Sequence, residues 1–471
     1  MLRVKSNPRQ EAPVGTANFE YYQSNRDHFL QSLIDFLKIP SVSTLPEHKP
    51  DVRRAAEFIA NDLREMGMER VEIIEGKPQQ NPLVYAEWLQ APGKPTLLLY
   101  GHYDVQPPDP LDEWKSPPFE PTVRGEDIFC RGSSDDKGQT YIQLKAVEGF
   151  LRGEGRLPIN VKFLIEGEEE VGGGHIEEFT KKNHEKLKAD AALICDTEMF
   201  APGLPTLTTG LRGLVYTEVE ARGASHDLHS GMYGGAAPNP MQAMAEIISG
   251  LKGRDGKIRI HGFYKRVTKP SKTELAAWTR LPFKEKDFLK KEVGSISLNG
   301  EKGYSVLERL WARPTLEVHG IRGGFTGEGA KTVIPAVATA KISMRLVPEM
   351  KPAEVIKQFT ASVKKLTPAG IKTTVRVISS APASVVSTEN RYIAAASEAM
   401  EKVFKKKTVF MRSGGSIPIA GLFHQELRAP VVMMGFGLPD DNLHAPNEKF
   451  HLPNFFGGIE SIGRFIELLG K

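Results

Sequence analysis

Side chains able to bind metal ions follow four separate apolar runs of the sequence. The runs read as short buried strands and cover residues 96–100, 161–165, 191–195 and 431–434. The side chains that follow them are His102 and Asp104, then Glu168, Glu169 and Glu170, then Asp196, and finally His444. Because the carboxyl ends of parallel strands meet at one edge of a sheet, we expect these side chains to lie close together.

The donor types in this set indicate what they would bind. Imidazole nitrogens and carboxylate oxygens without a thiolate suit Zn²⁺, Mn²⁺ or Co²⁺ rather than a cysteine-rich structural zinc. Five ligands with one shared carboxylate are the number expected for two ions about 3.5–4 Å apart, which together activate one water. A neighbouring glutamate would act as general base towards that water and then as acid towards a leaving amine.

Local spacing gives each group a functional interpretation and a plainer alternative. His102 and Asp104 point to the same side of an extended chain, so the carboxylate can hold the ring; a turn with an incidental histidine is the alternative. Asp135 and Asp136 open a predicted helix, where one aspartate is enough for capping and the second can bridge two cations; plain capping is the alternative. Adjacent glutamates in 168–170 would point to opposite sides of an extended chain, so one can bind metal and the next water; the alternative is a solvated acidic turn.

Apolar runs alternate with helical patterns through the first and last parts of the chain. This alternation predicts a mostly parallel sheet covered by helices on both faces. Residues 22–37 read as the first helix, and a second starts after Asp51 as its cap and ends before Gly67. Further helices are predicted at 139–151 and 459–469.

The middle of the chain carries a different pattern. Its predicted elements are, in order, a strand at 214–221, a helix at 241–251, strands at 315–319 and 338–347, a helix at 352–366 and a strand at 372–378. The order β-α-β-β-α-β is the ferredoxin-like arrangement. The sequence therefore predicts an inserted domain at 213–386 and a first domain split into residues 1–212, of which 1–18 form a loose arm, and 387–471.

Composition excludes several classes of function. The chain has 62 Lys and Arg against 58 Asp and Glu, and a net charge of +4 gives no electrostatic footprint for nucleic acid. No apolar stretch reaches about 18 residues and the first residues lack the apolar core of a signal peptide, so we expect a cytoplasmic protein with no membrane partner. Cys130 and Cys195 are too few for a disulfide framework and are expected to be buried and reduced.

Nine short motifs occur in order along the chain. Five of them contain the residues discussed above: GHYDVQP (101–107), CRGSSDDKG (130–138), EEEVGG (168–173), CDTE (195–198) and LHAPNE (443–448). The other four are DLHSGMYGG (227–235), AKTVIP (330–335), RLVP (345–348) and GGSIP (414–418). Together they resemble the aminoacylase/carboxypeptidase G metallopeptidase family, and the last four are most similar to its cytosolic dipeptidase, or carnosinase-like, branch.

The resemblance implies the architecture of the whole chain. The expected fold is zinc-peptidase-like α/β, a mostly parallel sheet flanked by helices. The inserted ferredoxin-like α+β domain would serve as lid and dimerisation domain, so a homodimer is implied.

The resemblance also implies a ligand set. His102 and Asp196 are similar to the terminal ligands of one and of the other metal ion, and Asp135 is similar to the carboxylate that bridges them. Glu170 and His444 are similar to the remaining ligands. The implied cofactor is two divalent ions per subunit, Zn²⁺ in the first place, with Mn²⁺ or Co²⁺ as alternatives.

Two further residues of the centre take implied roles. Glu169 resembles the catalytic general base, which deprotonates the attacking water and returns the proton to the amine. Asp104 resembles the residue that orients His102, and Glu168 is left as a bystander.

Four residues of the later motifs resemble substrate-binding groups. His229 is similar to an imidazole that a partner subunit sends into the active site to stabilise the oxyanion, and Thr332 to a group that holds the C-terminal end of the substrate. Arg345 resembles a second such group, and a guanidinium can bind a carboxylate through two hydrogen bonds; a surface arginine that closes a strand is the alternative. Ser416 precedes Pro418 at a predicted helix start, whose free N–H groups can hold the same carboxylate; a tight turn is the alternative.

These expectations combine into a two-metal hydrolase that cleaves dipeptides. The nearest alternative is an N-acyl-amino-acid deacylase, since both reactions break an amide bond next to a carboxylate. A two-metal phosphoesterase, with Arg345 bound to phosphate, and a non-catalytic metal-dependent binding protein are more distant alternatives. Asp104 and Glu169 argue against the last of these, because a binding protein needs neither.

Overall fold

The computed structural model of the chain describes residues 17–415 and 417–471. The expected loose arm at 1–18 lies almost entirely outside the described residues, and so does Ser416. The described chain forms two compact units. The first contains the described residues up to Thr208, Ser387–Val409 and Leu422–Lys471, and the second contains Thr209–Val386 and Phe410–Gly421.

Strands and α-helices follow one another along both units. The strands are β1 (Arg70–Ile74), β2 (Leu83–Trp88), β3 (Thr96–His102), β4 (Thr122–Arg124), β5 (Asp127–Phe129), β6 (Asn160–Glu166), β7 (Ala191–Ile194), β8 (Thr206–Leu211), β9 (Gly213–Arg222), β10 (Leu228–His229), β11 (Thr315–Gly323), β12 (Val333–Ile334), β13 (Val337–Leu346), β14 (Lys372–Ala381), β15 (Ser384–Val385), β16 (Val409–Ser413), β17 (Val431–Met433) and β18 (Lys449–His451). The helices are α1 (Ala17–Ser24), α2 (Arg26–Leu37), α3 (Lys49–Met66), α4 (Lys137–Gly153), α5 (Gly174–Lys182), α6 (His184–Leu187), α7 (Ser230–Tyr233), α8 (Pro240–Leu251), α9 (Lys272–Trp278), α10 (Glu285–Asp287), α11 (Val306–Trp311), α12 (Pro352–Leu366), α13 (Arg391–Phe404), α14 (Pro418–Leu422) and α15 (Leu452–Gly470).

The central sheet of the first unit has the strand order β1-β2-β6-β3-β7-β17, followed by the start of β8. The neighbours β6, β3, β7 and β17 are parallel, whereas β1 and β2 are antiparallel at one edge. At the other edge Thr208 of β8 pairs antiparallel with Met433 of β17. The four parallel strands are buried along nearly their whole length, as strands covered on both faces are. The predicted mostly parallel sheet with flanking helices is confirmed.

Helix α4 fastens a parallel strand to the loops beside it. Nearly all its residues are buried, several of them polar. Gln143 Nε2 donates to the carbonyl oxygen of Tyr100 in β3 at 2.7 Å. Gln139 Nε2 donates to the Ser134 carbonyl oxygen at 3.0 Å, and its Oε1 accepts the N–H of Phe436 at 2.8 Å. Because buried polar groups are stable only when they are hydrogen-bonded, these contacts fix the loops that follow the strands.

Two helix starts differ from the prediction. The helix expected at 22–37 is two helices, α1 and α2. Asn25 lies between them, and its side-chain amide donates to the Tyr21 carbonyl oxygen at 2.9 Å, a local hydrogen bond that competes with helix continuation. Helix α3 begins before its expected cap, Asp51, because Pro50 fits the first helical turn, where its missing N–H leaves no hydrogen bond unmade.

The second unit contains an antiparallel sheet with the strand order β11-β13-β9-β14. Alternate residues of β9 are buried, and Val215, Val219 and Ala221 belong to a core that also includes Met244 of α8 and Phe359 of α12. Both helices therefore pack on one face of the sheet. The chain order β9-α8-β11-β13-α12-β14 is the predicted ferredoxin-like arrangement.

Residues 410–421 belong to the second unit, although the sequence analysis assigned all of 387–471 to the first domain. Arg412 gives one physical reason, since two of its guanidinium nitrogens donate to Glu274 Oε1 at 3.1 and 2.6 Å within that unit. The lid and dimerisation roles of the inserted domain stay predictions.

Two smaller expectations concern cysteines and membrane helices. Cys130 and Cys195 are both buried and neither forms a disulfide, as expected. Across residues 17–415 and 417–471, no helix combines the length and the apolar character required to cross a membrane.

Candidate metal centre

The predicted ligands of the first unit lie at the carboxyl ends of its parallel strands. His102 is the last residue of β3 and pairs with Glu166, the last residue of β6. Asp196 follows the end of β7 by two residues, and His444 lies in the loop after β17. Parallel pairing brings these strand ends to one edge of the sheet, so the apolar pattern of the chain determines where the side chains meet.

The five predicted ligands form two groups that share Asp135. His102, Asp135 and Asp196 offer ligand atoms within 4.8 Å of one another, and so do Asp135, Glu170 and His444. Asp135 Oδ1 lies 3.1 Å from His102 Nε2, and Asp135 Oδ2 lies 2.8 Å from His444 Nε2. His444 Nε2 also lies 3.4 Å from Glu170 Oε2. The two oxygens of one carboxylate therefore face two different groups.

The division of the ligands differs from the one that the resemblance implied. His102 and Asp196 were expected to be terminal ligands of different ions, but they lie in the same group. The strand order gives the reason, because β3, which ends at His102, is the direct parallel neighbour of β7, which precedes Asp196.

Negative charge is concentrated in and around this cluster. Burial raises the pKa of Asp196 well above its usual range, and the neighbouring Asp136 and Asp135 raise it further. Burial also raises the pKa of Asp136 to about 7 and the pKa of Glu169 to about 8. These carboxylates lack enough compensating positive charge, which divalent cations would supply.

The donor set fits divalent cations. Within the described part of the chain, the buried His102 Nε2 has no hydrogen-bond partner of good geometry, although it lies 3.1 Å from Asp135 Oδ1. An unsatisfied buried nitrogen costs about 1–3 kcal/mol, and coordination to a cation would remove that cost. Nitrogen and oxygen donors without a thiolate are the ligands expected for Zn²⁺, Mn²⁺ or Co²⁺. The two candidate groups thus support a metal cofactor and leave the identity of the ion open.

Asp104 holds both an imidazole and the glutamate turn. Its Oδ1 and Oδ2 accept the N–H groups of Glu169 and Glu170, each at 3.2 Å. Its backbone oxygen lies 3.0 Å from His102 Nδ1, and its Oδ1 lies 3.4 Å from the same nitrogen. The residue named in the sequence analysis therefore contacts the ring, with its backbone carbonyl nearer than its carboxylate. This contact leaves Nε2 of His102 as the nitrogen that faces the centre.

The three glutamates do not lie in an extended chain. Residues Glu169–Val171 form a 3₁₀ turn that Gly172 ends with a φ of 103°, so the expected alternation of side-chain directions does not apply. Glu168 anchors this turn, since its carboxylate accepts the N–H groups of Asn81 at 2.6 Å and of His175 at 3.0 Å. It therefore has a structural role, which the resemblance did not supply.

Asp136 supports the end of β3. Its Oδ2 accepts the backbone N–H of His102 at 3.1 Å and the hydroxyl of Thr140 at 2.7 Å. The peptide bond between Asp135 and Asp136 is cis. Gly101 leaves room for this arrangement, because a Cβ atom there would lie 2.0 Å from Thr140 Oγ1.

Sequence reasoning missed Gln106 and Asp441, which support the centre. Gln106 Nε2 donates to Glu170 Oε2 at 2.7 Å. Asp441 Oδ2 accepts the Ser134 hydroxyl and the Leu438 N–H, both at 2.8 Å. The place of Gln106 in the GHYDVQP motif was a usable signal. Asp441 gave none, because Ser134 lies 307 positions away in the sequence.

The substrate-binding residues predicted for the second unit lie in two places. His229 pairs with Val333 in the two-stranded ribbon of β10 and β12, and the N–H of Ser230 donates to the Thr332 carbonyl oxygen at 3.1 Å. His229 and Thr332 are both exposed. Arg345 lies near the end of β13, where burial lowers the pKa of its guanidinium. The ribbon thus brings His229 and Thr332 together, without Arg345.

Comparison with known proteins places this architecture among peptidases. Residues 98–468 match Peptidase family M20/M25/M40. Cys-Gly metallodipeptidase dug1 of Schizosaccharomyces pombe is 33% identical over 469 residues, covering 96% of this chain and 98% of that protein. Beta-Ala-His dipeptidase of Homo sapiens is 30% identical over 463 residues, covering 95% and 91%.

Solved structures agree with this placement. The dipeptidase Dug1p of Saccharomyces cerevisiae is similar with a TM-score of 0.85 and 30% identity, covering 96% of this chain and 98% of that one. The M20 family metallo-carboxypeptidase Sso-CP2 of Sulfolobus solfataricus gives a TM-score of 0.86 and 32% identity, covering 94% and 99%. The predicted family, its dipeptidase-like branch and the prediction of a hydrolytic enzyme are confirmed. This chain belongs to Peptidase family M20/M25/M40.

Proposed function

We propose that this enzyme is a metallo-dipeptidase that uses two divalent ions. The observation that carries the proposal is the position of Asp135, whose two carboxylate oxygens face two separate groups of candidate ligands. His102 and Asp196 complete one group, and Glu170 and His444 complete the other. Zn²⁺ is the proposed ion, with Mn²⁺ and Co²⁺ as alternatives for the same donors.

Two ions bound by these residues would polarise the substrate carbonyl and lower the pKa of the attacking water. Glu169 is the proposed general base, and it acts at that water and then as acid at the leaving amine. It lies among the charges of His102, Glu170 and Asp135, and its backbone N–H donates to Asp104. Because Asp104 holds Glu169 and Glu170 together, the base keeps a fixed position relative to a proposed ligand.

Residues of the second unit are proposed to bind the rest of the substrate. His229 would stabilise the oxyanion that forms on the attacked carbonyl. Arg345 would bind the C-terminal carboxylate through two hydrogen bonds, assisted by Thr332 and by backbone N–H groups near Ser416. A dipeptide always offers that carboxylate one residue from the bond that is cut.

A homodimer is part of the proposal, and the shape of the second unit supports it. Arg345 lies eight residues after Val337, the first residue of β13, which corresponds to about 27 Å along a strand. The ribbon with His229 and Thr332 adjoins the Val337 end of that strand. A dipeptide is only about 7 Å long. One substrate molecule therefore needs the ribbon of one subunit and the Arg345 of another.

A substrate panel tests the proposed reaction. Purified protein loaded with Zn²⁺ is incubated with Cys-Gly and β-Ala-His, which the names of two relatives suggest, and with Ala-Gly. N-acetylated amino acids and a tripeptide are run beside them. We expect turnover of free dipeptides. Turnover of the blocked amino acids alone would identify a deacylase, and release of C-terminal residues from the longer peptide at the higher rate would identify a carboxypeptidase.

A further inference from the structure

Glu448 is a buried carboxylate to which the sequence motifs gave no role. It is the last residue of the LHAPNE motif, four positions after His444, and its side chain is 0% exposed. Such a group is stable in the interior only when hydrogen-bond donors or positive charges surround it. The donors around the Glu448 carboxylate therefore indicate its role.

Four donors from a single loop converge on Glu448. Its Oε2 accepts from Arg131 Nη1 at 2.7 Å and from the Gly132 N–H at 2.8 Å. Its Oε1 accepts the N–H groups of Ser134 and Asp135, both at 3.0 Å. One carboxylate thus fixes the backbone immediately before and at the residue that the two candidate ligand groups share.

The same contacts join two loops that are distant in sequence. The Cys130 N–H donates to the Glu448 backbone oxygen at 3.0 Å, so main chain and side chain both bind the 130–135 loop. His444, on the other loop, lies 2.8 Å from Asp135. The separation of these two proposed ligands therefore depends on how Glu448 holds one loop against the other.

We propose that Glu448 is a positioning residue of the metal centre, which sets the spacing of Asp135 and His444 and thereby the affinity for metal. This inference rests on the proposed function, because it takes Asp135 and His444 as ligands. Glu448 is not proposed as a ligand, because both of its carboxylate oxygens already accept hydrogen bonds from the protein. Its effect passes through the backbone of the loop that carries Asp135.

Metal titration of the apo-protein tests this role. Glu448→Gln keeps the size of the side chain but turns one acceptor into a donor that faces N–H groups. Calorimetric titration with Zn²⁺ should show an affinity about 10- to 100-fold lower than that of the wild type, as for other residues that orient metal ligands. Glu148→Gln is the matched control, since Glu148 is a buried carboxylate of the same unit that binds Lys145 at 2.6 Å. It should lower the melting temperature and leave the Zn²⁺ affinity unchanged.

The outcomes distinguish a wrong positioning role for Glu448 from a wrong assignment of the metal centre. If Glu448→Gln binds Zn²⁺ as the wild type does while Asp135→Asn does not, the positioning role is wrong and the centre stands. If Asp135→Asn also binds normally, the proposed centre is wrong. Should Glu448→Gln fail to fold, Glu448→Asp, which keeps the charge on a shorter side chain, is titrated against the same two criteria.

Discussion

The parallel sheet of the first unit and the antiparallel sheet of the second place their functional candidates in opposite ways. In the first unit, strands β3, β6, β7 and β17 all end at one edge, and five predicted ligands lie there within two small groups. In the second, β13 runs from the ribbon that contains His229 towards Arg345, which separates the two. Parallel strands gather the residues that follow them, and antiparallel strands distribute theirs over both ends of a sheet.

The two regions also differ in how their side chains are held. Asp104 and Asp136 are buried and hydrogen-bonded, so the side chains of the first unit are fixed before any ligand binds. His229 and Thr332 are exposed, and their geometry is set by a two-stranded ribbon. The first region is thus preorganised within one chain, whereas the proposed function assigns the second region a further surface from a partner subunit.

Removal of metal should have the largest effect on activity. All the proposed ligands lie in the first region, and without ions no water is activated for attack. Protein treated with a chelator and then freed of it should hydrolyse dipeptides no faster than buffer, and stoichiometric Zn²⁺ should restore the rate. Steady-state assays with metal analysis of each sample check this. Full turnover by protein shown to be metal-free would refute the two-ion centre.

Substitution of the proposed base should come next. Glu169→Gln removes the proton acceptor and leaves the proposed ligands, so kcat should fall by about 10²- to 10⁴-fold while metal content stays at two ions. Glu177→Gln, on the exposed surface of α5, is the matched control. Loss of ions together with activity would instead make Glu169 a ligand.

His229→Ala tests the second region and should lower kcat by about 10²- to 10³-fold, the usual cost of one oxyanion donor. Metal content should not change. His226→Ala is the control, since His226 is also exposed and only three residues away. A fall in activity of the same size in the control would show that the loop, and not the imidazole, is required.

Mixing variants sharpens the comparison between the regions. Glu169→Gln and His229→Ala subunits that have been allowed to exchange partners should recover about a quarter of wild-type activity, because half of the dimers would contain one complete site. No recovery after proven exchange would mean that His229 acts within its own chain.

Arg345→Lys should have the smallest effect. The guanidinium can make two hydrogen bonds to the substrate carboxylate, and the lysine ammonium would make one. The substitution should raise KM for dipeptides by about 10- to 100-fold with little change in kcat. Arg376→Lys on β14, where Arg376 Nη2 bonds Glu218 at 3.0 Å, is the control. An unchanged KM would exclude Arg345 from carboxylate binding.

Sequence was sufficient for the features that depend on local pattern. Apolar runs gave β3, β6, β7 and β17 and thus the edge at which His102 and Asp196 meet. It was insufficient where the contact is long-range. The 3₁₀ turn at Glu169–Val171 depends on Asp104, and the grouping of His102 with Asp196 depends on which strands are neighbours.

The supporting carboxylates show the same limit. Glu448 and Asp441 bind residues more than 300 positions earlier in the chain, so no spacing rule connects them with their partners. The resemblance implied the roles of single residues, but its division of the ligands differs from the grouping in the structure, and it left Glu168 without a role.

Asp135 and His444, which lie 2.8 Å apart, are 309 positions apart in the chain, and residues 209–386 come between them. At about 5–20 residues per second, a ribosome needs about 15–60 s to pass from one to the other. During that interval an emerging chain can offer an ion only part of the ligand set. In the proposed centre, loading with both ions would therefore have to wait until His444 has been synthesised and has folded against Asp135.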